Sequence, residues 1–139
     1  MTTPDIASAI RAWAKGLYAA EAGVELLIRS GRAIYDGAPW ITRHGDVAAI
    51  DPDVLVAETG AWSGGEQRLV RIAASLLGGP PVDLAEDIPG LDRHNAALVL
   101  AALAHANGSH EDSDMTFDAE GNRAGFADLG SLYPWPKEH

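Results

Sequence analysis

Apolar residues recur at helical period along three stretches of the chain. In the first, Ile6, Ile10, Trp13, Ala14, Leu17, Val24, Leu27 and Ile28 hold one face, while Arg11, Lys15, Glu21, Glu25 and Arg29 hold the other. Thr3-Pro4-Asp5 reads as a start, with Thr3 as cap and Pro4 at the first helical position, and Ser30-Gly31 reads as a stop. The pattern predicts a helix over about 4–30. Gly16 and Gly23 interrupt it, each costing about 1 kcal/mol against alanine. Gly16 is a place for a break into two helices. Gly23 lies beside the apolar face, where a close neighbour fits.

The second stretch has both its ends written in the sequence. Leu69, Val70, Ile72, Ala73, Leu76 and Leu77 form the stripe, and Arg68, Arg71 and Ser75 face away. Ser63 followed by Glu66 is a capping box, in which each side chain satisfies the other residue's backbone N–H. Gly78, Pro80 and Pro81 stop the helix, so it spans about 64–77. In the third stretch Asp92 caps a helix over 92–106, with Asn107-Gly108 as its end. From Ala96 to Ala104 it is apolar nearly all round, which predicts a place in the middle of a bundle.

The connecting segments are shorter and less regular. Asp36-Gly37-Ala38-Pro39 is a turn. Trp40-Ile41-Thr42 and Val47-Ala48-Ala49-Ile50 read as two short strands around His44-Gly45-Asp46. Asp51-Pro52-Asp53 reads as another helix start, although periodicity leaves strand and helix open over 40–60. Val82–Ile88 is one helical turn at most before Pro89-Gly90. Met115-Thr116-Phe117 and Ala124-Gly125-Phe126 flank a turn at Asp118–Asn122. The aromatic end, Tyr133-Pro134-Trp135-Pro136, suits an arm laid on the helices. The expected fold is therefore mainly α. It is one domain, 1–139, with three substantial helices, short irregular or β pieces, and a C-terminal hairpin or extended arm over 109–139.

Charge and composition narrow the partners. The chain of 139 residues carries a formal net charge of −10 and is 47% hydrophobic. Phosphate neutralisation needs a basic patch, so the charge argues against nucleic acid as a partner. There is no cysteine, hence no disulfide, thiolate nucleophile or cysteine zinc site. Nothing at the start resembles a secretory signal and no stretch is apolar over membrane length, so the expected location is cytoplasmic.

Four chemistries can be read from particular residues. Ser63-Gly64-Gly65-Glu66, Gln67-Arg68-Leu69 and Pro89-Gly90-Leu91-Asp92 together resemble the signature-to-D-loop stretch of ATP-binding cassette ATPases. That resemblance implies nucleotide binding. The chain departs from the family at two points. Its only lysines, Lys15 and Lys137, follow no glycine-rich loop, and Asp83, Glu86 and Asp87 interrupt the segment where a buried strand belongs. The cap accounts for Ser63 and Glu66 without the resemblance. What survives is a small anion site at Ser63, Gly64, Gly65 and Arg68, built on the free N–H groups of a helix start.

The other three candidates are local. Ser63 before a helix, with Asp83 or Asp87 and His94, His105 or His110 following, is a degenerate nucleophile elbow, but Glu58, Thr59 and Gly60 break its strand. His105, His110, Glu111, Asp112 and Asp114 crowd together, and nitrogen with carboxylate oxygen suits zinc, manganese or iron. EF-hand spacing fails, because Phe117 stands where the loop needs glycine. An acidic loop after a helix end is the plainer account of that crowd. Finally, Trp62 and Trp135 are candidates for partner contact, since tryptophan concentrates at interaction hot spots. Trp62 precedes a cap but faces Gln67 where a staple needs an apolar residue.

The function expected from sequence is a non-enzymatic accessory or interaction protein that self-associates, using a protein partner or its own copy. No cofactor is predicted outright, though a divalent metal fits the His/acid cluster. The alternatives are a small metal-dependent or anion-binding enzyme centred on His105–Asp114, and an acidic protein that mimics nucleic acid.

Overall fold

The computed structural model describes residues 3–137. Helices α1 (Ile6–Ala14), α2 (Tyr18–Ser30), α3 (Pro52–Glu58), α4 (Gly64–Leu76), α5 (Leu84–Asp87) and α6 (Arg93–Ala106) surround one apolar core. Two antiparallel hairpins complete it: β1 (Ile41–His44) with β2 (Val47–Ile50), and β3 (Ser113–Phe117) with β4 (Arg123–Asp128). The chain is thus helical with small β pieces.

The first predicted helix is two helices. Gly16 takes φ +99°, a left-handed conformation that a helix interior cannot hold, and the chain turns there before Tyr18. The start also differs from the expectation. Asp5, not Thr3, is the cap, accepting from the Ser8 N–H at 2.7 Å, and α1 begins at Ile6. Asp ranks above Thr as a cap, and Asp5 sits two residues nearer the apolar stripe.

The strand-or-helix ambiguity over 40–60 resolves by length and capping. Ile41 pairs with Ile50 and His44 with Val47, around Gly45 at φ +63°. Ala48 and Ile50 point into the core and β2 packs on α1. Asp51 then caps α3 through the N–H groups of Asp53 and Val54, with Pro52 leading. Trp40 is buried, and its indole donates to the Ala33 carbonyl at 2.9 Å.

Helix α2 is the hub, packed on both α4 and α6. Gly23 makes the α2–α4 approach possible: a Cβ there would lie 2.9 Å from the Ala73 carbonyl oxygen and 3.0 Å from Leu77 Cγ. Helix α6 is less enclosed than its sequence suggests. Leu98, Val99, Ala101 and Ala102 are buried, but Leu100 and Leu103 are exposed on the outer face. Helix α6 packs chiefly on α2 and less on α4, which leaves its outer face open.

At the start of α4 the capping box is extended by a charged partner from another element. Ser63 Oγ accepts from the Glu66 N–H at 3.4 Å, and the Glu66 carboxylate faces the Ser63 backbone N–H in return. It takes the Ser63 hydroxyl at 2.7 Å and Arg32 Nη1 at 2.7 and 2.8 Å. Arg32 also lies over the Trp62 ring, 4.3 Å from its centroid. The charge-assisted bonds from Arg32 add to the cap and are the first cause holding the Glu66 carboxyl below its ordinary range.

Candidate metal centre

Three separate local events bring ligand-type side chains together beside α2. The first is the break at Gly16. Its N–H, freed from the helix ladder, donates to Glu21 Oε2 at 2.9 Å. That bond is the main cause holding the Glu21 carboxyl below its ordinary range; partial burial works against it and His105 adds to it. Glu21 is therefore an oriented anion at neutral pH.

The second event is the end of α6. His105 lies in its last turn and faces α2, with Nε2 2.8 Å from Glu21 Oε1. The third is the reversal at Gly108, at φ +83°. A Cβ there would lie 2.9 Å from the Tyr18 ring, so both conformation and space call for glycine. The following 3₁₀ turn, Ser109–Glu111, carries His110 back over the helix end. The His105 and His110 rings stack with centroids 4.0 Å apart, and Tyr18 meets His110 edge-on at 5.0 Å. Buried Ser109 locks the reversal by donating to the Ala104 carbonyl at 2.9 Å.

Glu21, His105 and His110 consequently offer ligand atoms that all lie within 4.8 Å of one another. Two imidazoles and one carboxylate are a donor set for zinc, manganese or iron. Ligand bonds near 2.0–2.1 Å place neighbouring donor atoms roughly 3.3 Å apart in a tetrahedral site. His110 Nδ1 is buried with no hydrogen-bond partner, a deficit of about 1–3 kcal/mol that a ligand at that atom would relieve. The cluster opens on a cavity of about 370 Å³ lined also by Arg11, Lys15, Glu25 and Glu111. Glu25 is charged there as well: burial raises its carboxyl, but Arg11 and Arg29, both donating to it, hold it below the ordinary range.

The sequence-derived ligands divide at this point. His105 and His110 converge, and Glu111 lines the cavity with Oε1 3.8 Å from His110 Nε2. Asp112 and Asp114 stand outside the group, exposed, with Asp114 Oδ1 accepting from the neighbouring Met115 N–H. Glu21, 84 residues before His105, was missed by reasoning from local crowding. Its only sequence signal was a carboxylate one turn after a breaking glycine.

The remaining candidates are placed as follows. Arg68 folds between Gly64 and Gly90, so tightly that a Cβ on Gly90 would lie 2.3 Å from Arg68 Cζ. With Ser63 and Arg32 both engaged by Glu66, the anion at this helix start is the protein's own carboxylate. The Ser63 hydroxyl is bonded to Glu66 rather than to a histidine. Asp87 is buried and paired with Arg71, whose Nη2 lies 2.6 Å from Oδ1; the bond to Asp87 raises Arg71 above its ordinary pKa. Trp62 is half-buried against Trp40, with ring centroids 6.0 Å apart. Trp135 is half-buried on the core, beneath Arg29 and beside His105.

Among known proteins the likeness is partial. The chain is 42% identical over 77 residues to the pyoverdine export ATP-binding/permease protein PvdT of Pseudomonas savastanoi pv. phaseolicola. It is 40% identical over the same length to the proteins of that name from Pseudomonas syringae pv. tomato and Pseudomonas entomophila. Each match covers 51% of this chain and 12% of the relative. No family model matches the chain. No solved structure matches it. Among the described residues no helix is long and apolar enough to cross a membrane.

Proposed function

We propose that this protein binds a divalent transition-metal ion through Glu21, His105 and His110, and that the ion organises the adjoining cavity. The observation that carries the reading is the convergence of three ligand-type groups from α2, α6 and the turn after it. Each is held by its own support: the Gly16 N–H on Glu21, the helix end under His105 and the Gly108 reversal under His110. Ligands on rigid elements with outer hydrogen bonds are what metal affinity needs.

The test uses protein purified without chelator. One ion per chain is expected on metal analysis, and added Zn²⁺ or Co²⁺ should raise the Tm through preferential binding to the folded state. His110→Ala and Glu21→Gln should each weaken Zn²⁺ affinity by about 100-fold or more, since loss of even an outer-shell partner costs 10–100-fold. A metal-free protein whose Tm no divalent ion shifts would end the proposal.

A second reading, a protein working through contacts with itself or a partner, has a separate support. Phe117, Phe126, Leu129 and Leu132 are exposed along the C-terminal hairpin and arm, and Leu100 and Leu103 on α6. The relatives' printed activity, ATP binding within an export permease, is carried over only as a setting for such contacts, because this chain spans 12% of them. Light scattering at high concentration is expected to give a mass above that of one chain. A strict monomer counts against self-association.

A further inference from the structure

We infer that the ion and the C-terminal Trp135 compete for His105, so that metal binding releases the tip of the arm. The inference rests on the proposed metal site and adds its regulation. It follows from which atom carries the imidazole proton. Trp135 Nε1 lies 3.4 Å from His105 Nδ1, and an indole nitrogen can only donate. Nδ1 is then the acceptor. The ring proton sits on Nε2, where Glu21 Oε1 receives it at 2.8 Å.

An ion shared by Glu21 and His105 takes the place of that proton. It uses the Nε2 lone pair, and a neutral imidazole then carries its one N–H at Nδ1. That N–H points at the indole N–H, so two donors meet with no acceptor between them. A metal-bound histidine ordinarily donates its second N–H to a carboxylate, carbonyl or water. The docked Trp135 instead sets its indole N–H, a donor, at the place of such an acceptor. The ion and the docked indole therefore require opposite tautomers of the same ring.

The rest of the arm shows how far the release extends. Leu129 N–H donates to the Asp112 carbonyl at 3.0 Å and Leu132 N–H to Ser109 Oγ at 3.1 Å. Neither bond involves His105, so both persist. Beyond them Trp135 is held by Arg29, 5.0 Å from its ring, and by the Arg29 contact to the Pro136 carbonyl at 3.3 Å. Arg29 is also committed to Glu25 at 3.0 Å and keeps that partner when the indole leaves. The segment that moves is therefore Tyr133–Pro136, hinged after Leu132.

The experiment is a Zn²⁺ titration of the full chain followed by tryptophan emission and by calorimetry, with Trp135→Phe in parallel. Zn²⁺ has no redox or d-electron chemistry of its own here. Emission should shift to longer wavelength in the wild type as the indole enters water, and the shift should be absent in Trp135→Phe. Phenylalanine keeps the packing but not the donor, so its Zn²⁺ affinity should rise roughly fivefold, the worth of one neutral hydrogen bond. Binding of Zn²⁺ with no Trp135-dependent emission change and no gain in affinity for Trp135→Phe would overturn the competition while leaving the site intact. No calorimetric binding in either protein would remove the site itself, and the competition with it.

Discussion

Gly23→Leu is expected to unfold the protein at ordinary temperature, and Gly23→Ala to lower its stability by about 1 kcal/mol despite better helix propensity. Two effects oppose each other at this position. Alanine gains about 1 kcal/mol over glycine inside an exposed helix. Against that, its Cβ would sit 2.9 Å from the Ala73 carbonyl oxygen, which is backbone of α4 and cannot rotate aside. Leu77 Cγ at 3.0 Å closes the other side. Forcing helices apart at a packed seam costs typically 1–3 kcal/mol for small additions, so the clash outweighs the propensity. Leucine adds three more carbons to the same seam. Because α2 also carries Glu21 and packs on α6, opening the α2–α4 contact disturbs the metal centre too. Thermal or urea unfolding decides the matter, with a drop of roughly 3–5 °C in Tm for the alanine variant at this chain length. A Gly23→Ala protein as stable as the wild type would mean that the helices adjust freely and that the close approach is incidental.

The second large effect is expected at the Arg71–Asp87 pair, and it should be asymmetric. Asp87 has 5% of its side-chain surface exposed, whereas Arg71 retains 37%. Removing Arg71 leaves a carboxylate that water cannot reach. Breaking a buried pair in that way costs about 3–5 kcal/mol, and partial access around Arg71 places this one near 3 kcal/mol. Removing Asp87 leaves an arginine that turns into solvent, at a cost of roughly 1 kcal/mol, as for a surface pair. Arg71→Ala should therefore destabilise more than Asp87→Ala, and Arg71→Ala/Asp87→Ala should recover much of the loss. Equal single-variant losses, or a double variant worse than both, would contradict the burial argument. The pair joins α4 to the short α5, so the same variants report whether the 83–91 segment holds its place beside Gly90 and Arg68.

The metal ligands illustrate how a site can be half visible in a sequence. His105 and His110 stand five residues apart around a helix-ending Asn-Gly, and that crowding was readable. The acids beside them, Asp112 and Asp114, were equally conspicuous, yet they are exposed outside the group. Proximity along a chain puts residues near one another without deciding which way a turn points them. Glu21 had no local mark as a ligand, because its partner lies 84 residues away.

What the sequence determined by itself was local. The stripes of α2 and α4, the apolar run of α6, the caps at Asp51 and Asp92, and the stops at Gly31, Gly78 and Gly108 follow from side-chain period, hydrogen-bonding caps and glycine's conformational freedom. These act over a few residues and need no distant partner. Tertiary structure decided whatever depended on competition between distant groups. Glu66 gained Arg32 as a second partner beside Ser63, Asp87 buried itself against Arg71, and Glu21 joined two histidines at the end of another helix. A charged or imidazole side chain bonds to the best donor or acceptor that packing brings within reach. Packing, in turn, was set by the apolar faces and by the one glycine, Gly23, that lets α2 and α4 meet.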